Sequence, residues 1–152
     1  GTALTDTFGT DAFWADFEFV LAKLFDGPRH DSGCPFKFTD KAVAMYKAIG
    51  INPNDKTAIF SDGLDTDLAI EIAKYCEGKI RCSFGIGTHF TNDFLKPNGQ
   101  ISKPLNMVIK LSKCNGVPVV KLSDTPSKAI GDKDALRVAK WTFFGTPLDA
   151  SN

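Results

Sequence analysis

Two residues apart, Arg29 and Asp31 have the spacing that puts both side chains on one face of an extended segment and turns His30 to the other. A guanidinium beside a carboxylate can hold an anionic substrate while the carboxylate bonds a sugar hydroxyl or a metal-bound water. An internal salt bridge closed by an Asp31-Ser32-Gly33 turn accounts for the same residues equally well. Gly85-Ile86-Gly87-Thr88 can present backbone amides to a phosphate, with the Thr88 hydroxyl as a further donor. It is neither a Walker loop nor the dinucleotide fingerprint. Ser61-Asp62-Gly63 has similar content, although a helix cap at Asp62 or Asp65 explains it as simply. His30 and His89 suit acid–base work by residue type, but the alternation assigns His30 a structural place. No Ser or Cys lies in a nucleophile elbow. The four cysteines, Cys34, Cys76, Cys82 and Cys114, form no C-x-x-C pair and read as reduced thiols of a cytoplasmic protein.

The elements that must position these groups alternate β-like runs, polar glycine-containing loops and amphipathic helices over the first 95 or so residues. A strand end at residues 1–4 precedes Thr5-Asp6. A helix capped at Thr10 or Asp11 then carries Phe13, Phe17, Val20, Leu21 and Leu24 on one face. Residues 27–31 form the next extended piece. A helix from Thr39 or Asp40 turns Val43, Tyr46 and Ile49 inward and ends at Gly50. Thr57–Phe60 is the clearest strand, followed by a helix with Leu68, Ala69, Ile72 and Cys76 on one stripe and Gly78 at its end. A fourth strand over 80–84 empties into the Gly85–Thr88 turn. Such alternation predicts parallel βαβ units, in which functional residues gather at the carboxyl ends of the strands. All four strand ends here are polar or glycine-rich.

After about residue 95 the pattern changes. Runs at 105–111 and 117–122 flank Asn115-Gly116, a hairpin signal, and a last helix is expected over 132–141 with a frayed tail at 145–152. The division expected is a partial βα barrel over 1–95 and a hairpin with a C-terminal helix over 96–152.

The chain has 152 residues, 18 basic and 18 acidic side chains, and a 43% hydrophobic composition rich in Phe. That is the size and balance of one domain, with no basic excess aimed at nucleic acid or an anionic membrane. Its longest apolar runs, such as 17–21 and 105–111, are too short to span a bilayer. The first residue is Gly1, which suggests a processed or partial chain.

Six motifs in order carry a family resemblance. They are Ala3-Leu4-Thr5-Asp6-Thr7-Phe8, Arg29-His30-Asp31-Ser32-Gly33 and Phe60-Ser61-Asp62-Gly63-Leu64-Asp65. They continue with Ser83-Phe84-Gly85-Ile86-Gly87-Thr88, Pro104-Leu105-Asn106-Met107-Val108-Ile109-Lys110-Leu111, and Cys114-Asn115-Gly116 through Lys121-Leu122-Ser123-Asp124. This ordered set resembles nicotinate phosphoribosyltransferase. The resemblance implies an irregular TIM-like α/β barrel with a mixed domain. It also implies the joining of nicotinate to 5-phosphoribosyl 1-pyrophosphate, giving nicotinate mononucleotide for NAD biosynthesis, with Mg²⁺ and with ATP coupled through a phosphorylated histidine. Position by position, it implies Arg29 beside the pyridine carboxylate and Asp31 near the ribose as the catalytic pair, with Thr5 near the base. Ser61, Asp62, Gly63, Gly85, Gly87 and Thr88 would line the ribose-phosphate site.

Two departures bear on activity. Cys34 stands where the family shows a second Asp, in Asp-Ser-Gly-Asp-Pro. The family's histidine-bearing segment, of Gly-Thr-x-x-His-Glu type, is not in this sequence, and what is present resembles the C-terminal two-fifths or so of the pattern. The expectation is a chain inactive alone, completed by the missing N-terminal half or by another copy of itself. A non-enzymatic phosphate- or nucleotide-binding module, or another βα-barrel phosphosugar enzyme, are the alternatives.

Overall fold

A computed structural model describes residues 1–105 and 107–145. Its centre is a four-stranded parallel sheet in the order β1 (Thr2–Leu4), β2 (Gly27–His30), β3 (Thr57–Phe60), β4 (Arg81–Phe84). The registers Ala3 to Pro28, Arg29 to Ile59 and Ile59 to Ser83 bring all four carboxyl ends to one edge. Among the described residues the sheet is open and does not close into a barrel. What is observed is an α/β fold with sequential parallel strands.

Burial explains the helices. In α3 (Pro35–Ala48), Phe38, Thr39, Ala42 and Tyr46 are buried, a stripe at helical spacing. The helix begins at Pro35 rather than at Thr39 or Asp40, because proline's fixed φ suits the first helical position and needs no amide partner there. Thr39 lies inside it, its hydroxyl donating to the Pro35 carbonyl at 2.9 Å. In α4 (Thr66–Cys76), Asp65 caps the amino end by accepting from the Leu68 amide at 2.8 Å, and Ala69, Ile72 and Cys76 face inward. Phe60, at the end of β3, is fully buried between Phe38 and Phe84, with ring centroids 5.9 Å from each.

The first helix departs from the single face expected over residues 13–24. It is two pieces, α1 (Thr10–Asp16) and α2 (Phe19–Leu24), broken at Phe17 and Glu18. Phe17 turns into the aromatic cluster of Trp14, Phe13 and Phe25, and the break swings α2 so that Ala22 is its buried residue. Val20 and Leu24 are therefore 67% and 71% exposed instead of buried.

A four-residue helix, α5 (Thr88–Thr91), follows β4. Beyond it, a short antiparallel ladder joins β5 (Lys113–Cys114) to β6 (Val117–Pro118) around Asn115-Gly116, with Asn115 at φ 49° and Gly116 at φ 80°. Residues 105 and 107–111 are not in a strand, and Asn106 lies outside the described residues. The last helix, α6 (Lys133–Phe144), is capped by Asp132 and ends at Gly145 in the left-handed region. The tail expected to fray lies outside the described residues beyond Gly145. Between β6 and α6 the chain returns to the sheet. The Leu122 amide donates to the Thr7 carbonyl at 2.8 Å and the Ser123 amide to the Asp6 carbonyl at 3.1 Å. This clasp lays residues 121–128 across the carboxyl edge of the strands. No helix of the described residues is long and apolar enough to cross a membrane.

Candidate functional site

The residues singled out by their spacing meet at this edge. Arg29 donates through Nε to Ser61 Oγ at 2.9 Å and through Nη2 to Asp31 Oδ1 at 3.2 Å. Ser61 donates to the His30 carbonyl at 3.0 Å and lies 3.1 Å from Asp31 Oδ1, which ties β2 to β3 at their ends. The Arg29 side chain is 44% exposed and Asp31 25%. The pair forms the internal salt bridge, and its guanidinium remains partly exposed.

His30 points the other way, as the alternation predicts. It is 2% exposed, packed against Phe38 and Phe60, with Nε2 3.2 Å from the Gly33 carbonyl. Burial holds its pKa below the ordinary histidine value, against the Gly33 carbonyl and the Asp62, Asp124 and Asp31 charges that favour the protonated ring. Thr5 is also enclosed: its hydroxyl lies 3.1 Å from Thr10 Oγ1 and 3.3 Å from the Arg29 carbonyl. Thr5 lines a small apolar hollow of about 170 Å³ with Phe8, Phe13 and Phe143, not the polar face of Arg29.

Two larger hollows meet at the Asp31–Ser61 contact. The first, about 410 Å³, is bordered by Ser61, Gly63, Gly85, Gly87, Thr88 and His89, so the two glycine-containing turns share one basin. A Cβ at Gly87 would meet no protein atom within 4 Å, so the backbone there is open to the basin. The second, about 500 Å³, is bordered by Asp31, Lys110, Lys121, Ser127 and Lys128.

Lys121 and Lys128 receive no role in the sequence analysis, yet both reach this edge. Lys121 Nζ lies 2.9 Å from Asp6 Oδ1 and 3.6 Å from Asp31 Oδ2. Asp6 is fully buried and also accepts from Ser32 at 2.7 Å and Ser123 at 2.9 Å. Burial alone would raise its pKa, but the bonds from Lys121, Ser32 and Ser123 and the Lys121 charge together hold it below the ordinary aspartate value. Lys128 donates to the Asp31 carbonyl at 2.8 Å and pairs with Asp62. Asp124 accepts from the Thr10 amide at 2.7 Å and from the Thr10 hydroxyl. Asp62 is thus held by Lys128 and is not among the residues bordering the glycine basin, where Asp65 stands instead. Ser123, at φ 63°, is held in the left-handed region by its bonds to Asp6. The motif containing Lys121 and Ser123 was visible in the sequence, but nothing local reveals that it folds back on Asp6.

An arginine–carboxylate pair beside a glycine-lined basin stands on the carboxyl edge of a parallel sheet, the edge where α/β proteins gather their functional residues. The chain belongs to the nicotinate phosphoribosyltransferase (NAPRTase) family, whose sequence model matches residues 1–146. A nicotinate phosphoribosyltransferase of Methanosarcina mazei is 54% identical over 151 residues, covering 98% of this chain and 36% of that protein. Nicotinate phosphoribosyltransferase 2 of Pseudomonas aeruginosa is 51% identical over 144 residues, covering 94% and 35%. The crystal structure of the Vibrio cholerae nicotinate phosphoribosyltransferase superposes with a TM-score of 0.86 at 47% identity, over 93% of this chain and 34% of that one. That of Porphyromonas gingivalis gives 0.85 at 44% identity, over 94% and 37%. The chain spans about a third of the length of the relatives it matches.

Proposed function

We propose that this chain carries the phosphoribosyl-binding part of a nicotinate phosphoribosyltransferase, built on part of a TIM-like barrel, and that it binds ligand without turning it over alone. The observation that carries the reading is the union of the Arg29–Asp31–Ser61 network with the glycine basin at one sheet edge. The 5′-phosphate would enter that basin, received by the backbone of Gly63, Gly85 and Gly87 and by Thr88. Asp31 would accept from a ribose hydroxyl. The exposed face of Arg29 would take the pyridine carboxylate in a charge-assisted bond. The lysine-lined hollow beyond Asp31 suits the pyrophosphate.

The chemistry asks for this layout. Breaking the bond at ribose C1 builds oxocarbenium-like positive charge while pyrophosphate leaves as an anion. The work is therefore alignment and electrostatic stabilisation of both charges. The pyridine nitrogen offers a free lone pair, so no general base is required. Asp31, close to the ribose, would stabilise the developing positive charge, and Lys121 and Lys128 the departing anion.

Magnesium would neutralise the pyrophosphate when bound. The residues here do not form a site for it on their own. Lys121 and Lys128 already stand against Asp31 and Asp62, and no group of three His, Cys, Asp or Glu side chains suited to a metal occurs among the described residues. Neither histidine stands in a Gly-Thr-x-x-His-Glu type segment, and His30 is in addition enclosed by aromatic rings. ATP coupling is assigned to the part of the family pattern outside this chain.

Calorimetry tests the reading. Ribose 5-phosphate and nicotinate mononucleotide should both bind, and Arg29→Met should weaken the mononucleotide about tenfold or more while sparing ribose 5-phosphate, as loss of one charge-assisted bond predicts. No binding of either at millimolar concentration would overturn the assignment. Nicotinate mononucleotide formation by the 152-residue chain, supplied with both substrates, ATP and Mg²⁺, would overturn the claim of inactivity.

A further inference from the structure

The glycine basin has an electrostatic peculiarity. Its charged or titratable border residues are Asp65, His89 and Asp93, and no lysine or arginine is among them. Arg29 approaches only through Ser61, with its guanidinium turned to Asp31. Lys128 is occupied by Asp62 and the Asp31 carbonyl. Lys103 sits between the border residues Ser102 and Pro104 without joining the border. Two carboxylates facing a phosphate oppose it, and the amides that would receive it carry only partial charge. Asp65 is engaged in capping α4 through the Leu68 amide, and Asp93 lies 3.4 Å from His89 Nε2. Asn92 and Ser102, the neighbouring polar groups, are bonded to each other at 3.1 and 3.3 Å.

The sign of the basin therefore turns on His89, whose side chain is 37% exposed and carries no buried constraint. Resting on the phosphate reading of this basin, we infer that His89 is the cationic ligand that fixes the phosphate, making affinity for a phosphate monoester rise as the imidazole takes a proton. Asp93 is its competitor: it holds the same ring edge and must yield it when the anion arrives. Histidine is the side-chain type that in general changes charge between pH 5 and 8. The same pairing makes two opposed predictions from neighbouring residues. Losing His89 weakens binding at low pH; losing the Asp93 charge strengthens it at every pH.

The test is calorimetric titration of ribose 5-phosphate into the 152-residue chain and into His89→Asn and Asp93→Asn at pH 5.5 and 8.0. The phosphate titrates near pH 6 as well, so the comparison between proteins at each pH isolates the imidazole. At pH 5.5 the wild-type chain should bind about tenfold more tightly than His89→Asn, the difference collapsing at pH 8.0, as expected for one charge-assisted bond made or lost. Asp93→Asn should bind several-fold more tightly than wild type. The ring signals of His89 should shift on titration while those of buried His30, the only other histidine, stay still. Equal affinities for wild type and His89→Asn at both pH values, with binding intact, would overturn this inference and leave the phosphate site standing. Loss of binding in the wild-type chain itself would remove the phosphate reading and this inference with it.

Discussion

At the scale of single residues, Asp6 decides more than Arg29. It is a fully buried carboxylate at the end of β1, and everything that satisfies it comes from elsewhere: Ser32 after β2, and Lys121 and Ser123 from the returning segment. Removing one member of a buried pair leaves the other's charge uncompensated, which typically costs about 3–5 kcal/mol. Lys121 keeps some solvent, so Asp6→Asn should destabilise by about 3 kcal/mol at pH 7, read from urea unfolding. The pH dependence has a definite sign. Because the folded-state pKa lies below the ordinary value of 3.8, the ionised Asp6 stabilises fully above that value, and the contribution is lost as pH falls through the lower folded-state value. The variant's stability should consequently fall less steeply than the wild type's below pH 4; parallel curves would show that Asp6 is not the titrating anchor.

Among elements, β2 is the least forgiving. A Cβ added at Gly27 would stand 1.9 Å from the Thr57 carbonyl oxygen, so β2 and β3 approach each other only because glycine is there. Gly27→Ala must push the strands apart and misplace Arg29, two residues on, whereas Asp65→Ala removes one helix cap for about 1 kcal/mol. Thermal unfolding should separate the two by several-fold in lost stability; similar small losses would mean the strands can slide. What the sequence discloses follows the same division. Thr57–Phe60, the Asp65 cap and the Arg29–Asp31 face are local patterns set by alternation and short side chains, and the structure has all three. The break at Phe17 and Glu18 carries no proline or glycine; it exists because Phe17 joins Trp14 and Phe25, a tertiary demand invisible to periodicity. The lysines at 121 and 128 belong to the site through a backbone clasp across more than a hundred residues, a distance no local motif spans.

As a whole molecule, the chain has too much surface. Its accessible area is 10002 Å², while a compact monomer of 16.5 kDa would show about 7,500 Å². Both outer strands, β1 and β4, pair on one side only within the described sheet, and Leu105, Met107, Val108, Ile109 and Leu111 are each at least two-thirds exposed. Open sheet edges and apolar runs of this extent mark surfaces that are covered in a working assembly. We propose that the rest of the family's barrel, or a second copy of the chain, covers them. Light scattering on the isolated chain should give a mass above one copy, or else strong binding of a hydrophobic dye. A clean monomer that leaves the dye dark would remove the proposal.

In the clasp between residues 121–123 and the turn after β1, the Ser123 hydroxyl reaches Asp6 across 117 positions, so this contact closes nearly the whole chain into a loop. Closing a loop of that separation costs entropy that contacts between neighbouring strands and helices do not. The sheet can be in place while the ligand edge is still open, and a chain cut off before residue 121 would keep its strands but never acquire Lys121, Ser123 or Lys128. Whatever loosens the far end of this polypeptide therefore strips Lys121, Ser123 and Lys128 from that edge at one stroke.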